Sequence, residues 1–175
     1  RNLVAGLSYL FLKQFDAVGL TLFNNQVVHH IPPRSKASHL KNILHGLSNF
    51  SAKGATAIED VLASLTEHLP GRSMVILISD FLIGNQDIHK NLKLLRSRGL
   101  EVILFQILHP DELNLPFEGD TVFESLEDDT MVGLDPIDIR EEYQKAIQEK
   151  IDHLKKISNG LGVDYMLLDT STPLE

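Results

Sequence analysis

Two oxygen-bearing side chains stand where this chain could do chemistry. Asp80 follows the run Met74–Ile78, five apolar residues without alternation, and Ser79. Such a run reads as a strand buried on both faces. An aspartate at the carboxyl end of a buried parallel strand lies at the crevice where open α/β sheets hold ligands. Thr56 follows Gly54-Ala55 and opens a helical pattern through Ile58, Val61, Leu62 and Leu65. Its hydroxyl can cap that helix or reach a ligand. In a parallel sheet both residues fall along the same edge. A carboxylate and a hydroxyl converging there offer hard oxygen donors, which suit Mg²⁺, an ion that keeps several of its waters. Each residue also has a purely structural reading: Thr56 as an ordinary N-cap, Asp80 as the cap of the next helix or turn.

Other chemistries find no support. The sequence has no GxGxxG loop, no GxxxxGK loop, no GxSxG elbow and no HExxH pair. It has no cysteine, which excludes disulfides, thiolate metal sites and a cysteine nucleophile. His29 and His30 are adjacent in a predicted strand, so their side chains point to opposite faces. His39 and His45 lie six apart on a predicted helix and share no face well; both pairs read as histidines without a metal. Glu127-Asp128-Asp129 lacks the spacing of a calcium loop and reads as a solvated hairpin tip. With 24 acidic against 16 basic residues the net charge is -8. That balance argues against a nucleic-acid or anionic-membrane surface, and no nucleic acid or membrane contact is expected of this segment. The apolar stretch Leu3–Leu12 is broken by Gly6 and Ser8 and falls short of the roughly 20 residues that span a bilayer.

The elements that must position Thr56 and Asp80 follow from periodicity. Asn2–Gln14 carries Leu3, Leu7, Leu10 and Phe11 at helical spacing. Asp16–Phe23 and Gln26–Ile31 read as strands joined at Asn24-Asn25, hence antiparallel, the second stopped by Pro32-Pro33. Ser38 can cap a helix to about Leu47. The strand Ser73–Phe81 is followed by a helix over Asp87–Ser97, ended by Arg98-Gly99, and by the apolar strand Leu100–Leu108. This β-α-β order predicts a parallel sheet with helices on both faces. His109–Gly119 reads as a loop, Thr121–Leu126 with Thr130–Leu134 as an inserted hairpin. Asp135-Pro136 opens a long helix to about Asn159, with aspartate as N-cap and proline at the first helical position. Val163–Asp169 is the last strand.

Taken together, the stretches DAVGLTLF, VVHHIPPRS, GAT, VILISDF, HPDELNLPF and DYMLLDTSTPLE make the chain resemble the bacterial von Willebrand factor A-like proteins associated with MoxR-type AAA+ ATPases, a family of unknown function. The resemblance implies an α/β, doubly wound, mainly parallel Rossmann-like sheet, with one antiparallel edge strand and a small inserted hairpin. It implies a metal-ion-dependent adhesion site holding Mg²⁺, in which Thr56 takes the place of the family's threonine and Asp80 that of its strand-end aspartate. The family often has GGT where this chain has GAT, and the DxSxS motif that completes the site has no match here. That motif and its central strand are expected upstream of Arg1, so residues 1–175 read as a single A-like domain truncated at its N-terminus. The implied function is non-enzymatic: a metal-dependent protein-interaction module, an adaptor or assembly factor. Its expected partner is a MoxR-type ATPase or its clients, in the cytoplasm, the full-length protein carrying a membrane anchor elsewhere or none. A structural A-like domain with a dead metal site and a metal-dependent hydrolase are the alternatives.

Overall fold

The computed structural model describes residues 1–24, 26–50, 61–62, 69, 72–82, 88–124 and 130–172. The chain divides into two compact units, Arg1–Val61 and Leu62–Pro173. The result is a mixed α/β protein with a parallel three-stranded sheet and two antiparallel strand pairs.

The first unit contains α1 (Asn2–Lys13), β1 (Val18–Phe23), β2 (Val27–Arg34) and α2 (His39–Asn49). β1 and β2 pair antiparallel, as their short connection requires. Leu12 of α1 and Ile43 and Leu47 of α2 form the buried centre, against which Val18, Leu20 and Leu22 of β1 pack. β2 runs through Pro32-Pro33 to Arg34 instead of stopping before them. β1 is its one neighbour among the described residues, and the register slips between Val18 and Leu20; prolines that cannot donate to a ladder are tolerated at such an edge. Gly19 is needed there: a Cβ would lie 3.0 Å from the Ile31 carbonyl oxygen. Ser38 precedes α2 but makes no side-chain capping bond.

The second unit contains β3 (Met74–Ser79), α3 (Ile88–Ser97), β4 (Glu101–Leu108), α4 (Pro110–Asn114), β5 (Thr121–Glu124), β6 (Met131–Leu134), α5 (Pro136–Leu161) and β7 (Asp164–Asp169). Its sheet has the order β3-β4-β7, all parallel, with Leu77 beside Leu104 and Leu104 beside Tyr165. Asp135 caps α5 as its sequence demands, accepting from the Ile137 N–H at 3.0 Å, and Gly162 ends the helix at φ +64°. Arg96 ties the end of α3 to that of α5 by donating to the carbonyls of Leu100 and Leu161. The segment after β4 is not only a loop. His109 and Glu112 form a reciprocal capping box that starts α4; histidine is an unusual N-cap, and sequence preference does not flag it. β5 and β6 form the expected hairpin, with Phe117 set edge-on to Phe123.

Burial departs from the expectation of strands inaccessible on both faces. Along β4, Val102, Leu104, Gln106 and Leu108 are buried, whereas Ile103, Phe105 and Ile107 between them are half-buried. In β3 only Leu77 is buried and Met74 is exposed. The reason lies in the helices. α3 packs on β4, α5 packs on β7, and the two helices touch each other, so both cover one face. That face is the one where Leu108 meets Ile147 and Ile151 of α5. Helices on both faces are therefore not seen among the described residues. Of the helix expected from Thr56 to Leu65, only Val61 and Leu62 are described, both helical and buried. Among the described residues no helix is long and apolar enough to cross a membrane.

Candidate functional site

Because β3, β4 and β7 run parallel, their carboxyl ends share one edge, and Ser79-Asp80, Leu108-His109 and Asp169-Thr170 stand along it. Asp80 is exposed there, as an aspartate after an apolar run predicts. Its Oδ1 accepts from the Leu82 N–H and from the Ser79 hydroxyl, each at 3.3 Å, while the Ser79 oxygen accepts from the Phe81 N–H at 3.2 Å. Phe81 adopts φ +52°, a left-handed conformation that costs a non-glycine residue about 1 kcal/mol or more. The side chains of Ser79 and Asp80 hold this turn in place, so the structural reading of Asp80 as a turn-forming residue is met.

A second set of contacts fixes the strand end from below. Gln106 is 1% exposed in the middle of the helix-covered face. Its Nε2 donates to the Asp80 carbonyl at 2.8 Å, and its Oε1 accepts from the Tyr165 hydroxyl at 2.7 Å. Both ends of the amide are thereby satisfied, as a buried polar group must be. Burial, and secondarily the charge of Asp152, raises the Tyr165 phenol above its ordinary 10.0 and keeps it a neutral donor. Sequence reasoning passed over Gln106. The signal was available: it is the one polar residue between Val102 and Leu108.

The neighbouring strand ends are engaged locally. The Asp111 N–H donates to Nδ1 of His109 at 3.2 Å, so that nitrogen acts as an acceptor, and the 3.4 Å approach of the Asp111 carboxylate is not a hydrogen-bonded ion pair. Asp169 accepts from the Ser171 N–H at 2.7 Å. The Ser171 backbone and side-chain hydrogen bonds hold its carboxyl below the ordinary 3.8. A carboxyl depressed in this way adds stability above its unfolded pKa and loses it as pH falls through the folded value. Ser171→Ala is therefore expected to move the Asp169 midpoint upward in an NMR titration of the side-chain carboxyl. An unchanged midpoint would mean that another contact sets it.

Thr56 lies outside the described residues, as do Glu127-Asp128-Asp129. The other metal expectation, Asp80, has the right donor chemistry for Mg²⁺, a carboxylate with a serine hydroxyl beside it. Among the described residues, however, no group of three His, Asp or Glu side chains could hold an ion. The described residues thus place one candidate carboxylate, and no complete metal site is found among them.

A family model described as "Protein of unknown function DUF58" matches residues 1–153. Uncharacterized proteins of Mycobacterium bovis and Mycobacterium tuberculosis are 23% identical over 171 residues, covering 95% of this chain and 53% of each relative. The chain thus spans about half the length of the curated relatives it matches. Among solved structures, the conserved hypothetical protein BatB from Bacteroides thetaiotaomicron superposes with a TM-score of 0.58 at 17% identity, covering 96% of this chain and 79% of that one. An aerotolerance-related membrane protein from Bacteroides fragilis, solved with multiple mutations to serines, gives 0.57 at 17% identity, covering 96% and 80%. At these identities the likeness is one of fold alone. The expectation of a MoxR-type ATPase as partner, with no membrane contact, is overturned here: one of these neighbours is described as a membrane protein, and neither description names an ATPase.

Proposed function

The chain belongs to the DUF58 family, and we propose that it is a non-enzymatic, von Willebrand factor A-like interaction domain with a doubly wound sheet, carried by a membrane-associated protein. It engages a protein partner at the carboxyl edge of its parallel sheet. The observation that carries this reading is Asp80: an exposed carboxylate at the end of β3, its backbone locked by Gln106 and its side chain held by Leu82 and Ser79. A carboxylate held on rigid elements recognises a partner with little ordering cost. The membrane setting rests on the description of the Bacteroides fragilis neighbour. On this reading Asp80 would be an oxygen ligand of Mg²⁺, which would supply a positive centre for a carboxylate of the partner.

Calorimetry with MgCl₂ on the full-length protein tests this. The wild type is expected to bind saturably. Asp80→Asn, which keeps the turn's hydrogen-bonding shape but removes the charge, is expected to weaken binding about tenfold or more. Circular dichroism should show the variant folded, since Asp80 is exposed and outside the core. Equal binding by both proteins would remove Asp80 from any metal site. Absence of binding by either would leave the A-like domain with a dead site.

A further inference from the structure

The first unit is chemically unlike the chain as a whole. Between Asp16 and Glu59 there is no Asp or Glu, although the chain holds 24 of them, and the stretch contains Arg34, Lys36, Lys41 and four of the eight histidines. The overall charge of -8 hides this basic segment. Within it, where β2 gives way to α2, a hollow of about 330 Å³ is walled by Arg34, Lys36, Ser38 and Asn42, with Ile31 and Pro32 as its apolar part and His39 in its lining. Neither Arg34 nor Lys36 has an ion-pair partner among the described residues.

His39 is the unusual member. It is 3% exposed, and its Nε2 stands 3.0 Å from the Val18 carbonyl oxygen. A carbonyl only accepts, so Nε2 carries the hydrogen, and in the neutral ring Nδ1 is a bare acceptor. Nδ1 is buried with no partner among the described residues. A buried acceptor without a donor is costly, and such groups call for an unseen partner. The backbone does not provide it. The first N–H groups of α2 already donate to the carbonyls of Lys36, Ala37 and Ser38.

We propose that this hollow binds the phosphate group of a small soluble molecule. Two requirements select that chemistry. Arg34 and Lys36, with no neighbouring carboxylate in the sequence to compete, demand a negative charge. Nδ1 demands a donor. A carboxylate ionised above its pKa of about 4 only accepts, whereas a phosphate monoester keeps one hydroxyl beside its charged oxygens up to its second pKa of about 6, so binding should strengthen as pH falls toward that value. Its oxygens meet Arg34, Lys36, the Ser38 hydroxyl and the Asn42 amide, and its P–OH donates to Nδ1. Arg34 and Lys36 are exposed, so their long side chains have room to adjust to it. Ile31 and Pro32 offer the organic remainder an apolar wall, in a volume at the low end for small-molecule sites. The site lies in the unit that does not contain Asp80, and the inference stands independently of the function proposed above.

The test is an NMR titration of the ¹⁵N-labelled full chain with glycerol 3-phosphate and inorganic phosphate, with acetate at equal ionic strength as control. Saturable shifts are expected at the amides of Lys36–Ile43 and at the His39 ring nitrogen, with phosphate and not with acetate. The double variant Arg34→Gln/Lys36→Gln, altered only at exposed positions, should stay folded and bind about tenfold or more weakly. Shifts that do not saturate, that acetate reproduces, or that survive in the double variant would overturn the site. A third arm uses phosphatidylglycerol vesicles: a response to vesicles without one to glycerol 3-phosphate would make the ligand a lipid headgroup and overturn the soluble one.

Discussion

Leu104→Ala is expected to lower the free energy of unfolding by about 2–5 kcal/mol, while Ile103→Ala, one residue away, loses less than half as much. Leu104 is fully buried at the middle of β4, between Leu77 on β3 and Tyr165 on β7. It lies on the face covered by α3 and α5, whose Leu92, Leu95, Ile147 and Ile151 are buried. Truncation there loses the transfer energy of the removed carbons and leaves a cavity that strands and helices cannot easily close. Ile103 points to the other face and is half-buried. Its truncation exposes a site that partly faces water already, so the cavity contribution shrinks. For a domain stable by about 5–15 kcal/mol the first change is a large fraction of the whole. Urea unfolding of both variants, with m-values compared to confirm that only stability moved, measures the contrast. Equal losses would mean that both faces of the sheet are equally packed and that the one-sided covering described for β4 is incomplete.

That contrast marks where the sequence informed and where it could not. The strands β3, β4 and β7 were legible because apolar runs bounded by glycine, proline and polar residues have few other solutions. The start of α5 was legible from Asp135-Pro136, which act locally, whereas its end, expected at about Asn159, lies at Leu161: the helix runs through Gly160 and stops at Gly162. An apolar run, however, says that a strand is apolar and not what covers it. Ile103 and Leu104 look alike in sequence and differ in burial because helices pack on one side of them. The path of β2 through Pro32-Pro33 was hidden for a similar reason. Proline forbids a ladder bond, and only the sheet's topology reveals that the bond was not required. The His109–Glu112 capping box went unread because histidine seldom caps a helix. Asp80 was placed at an exposed strand end by pattern alone, yet pattern did not show that Gln106 anchors it. Net charge misled by averaging: -8 overall conceals a segment of the first unit without a single carboxylate.

Gln106→Leu is expected to destabilise the protein by roughly 2–4 kcal/mol and to loosen the turn that presents Asp80. Leucine fills nearly the same volume, so the loss is not one of packing. Two part-buried groups are left unpaired instead: the Asp80 carbonyl, which accepts from Nε2 at 2.8 Å, and the Tyr165 hydroxyl, which donates to Oε1 at 2.7 Å. Each costs its desolvation without return. Tyr165→Phe removes only the second bond and should cost about 1–2 kcal/mol, leaving Oε1 of Gln106 without its donor. In the double variant the unpaired hydroxyl is gone, so the two losses should not add, and the cycle should show coupling of about 1 kcal/mol. The pH dependence has a definite sign. The folded phenol titrates above its ordinary 10.0, so its contribution is intact below that value and falls as pH rises through the folded pKa. Tyr165→Phe abolishes that alkaline loss. Hydrogen exchange reports on the functional side: the Leu82 N–H, which donates to Oδ1 of Asp80 at 3.3 Å, should exchange faster in Gln106→Leu because the peptide before it is no longer pinned. Additive losses with an unchanged Leu82 exchange rate would mean that Gln106 merely occupies the core. Coupled losses with faster exchange would identify it as the residue that carries the rigidity of the sheet into the one carboxylate presented at the end of β3.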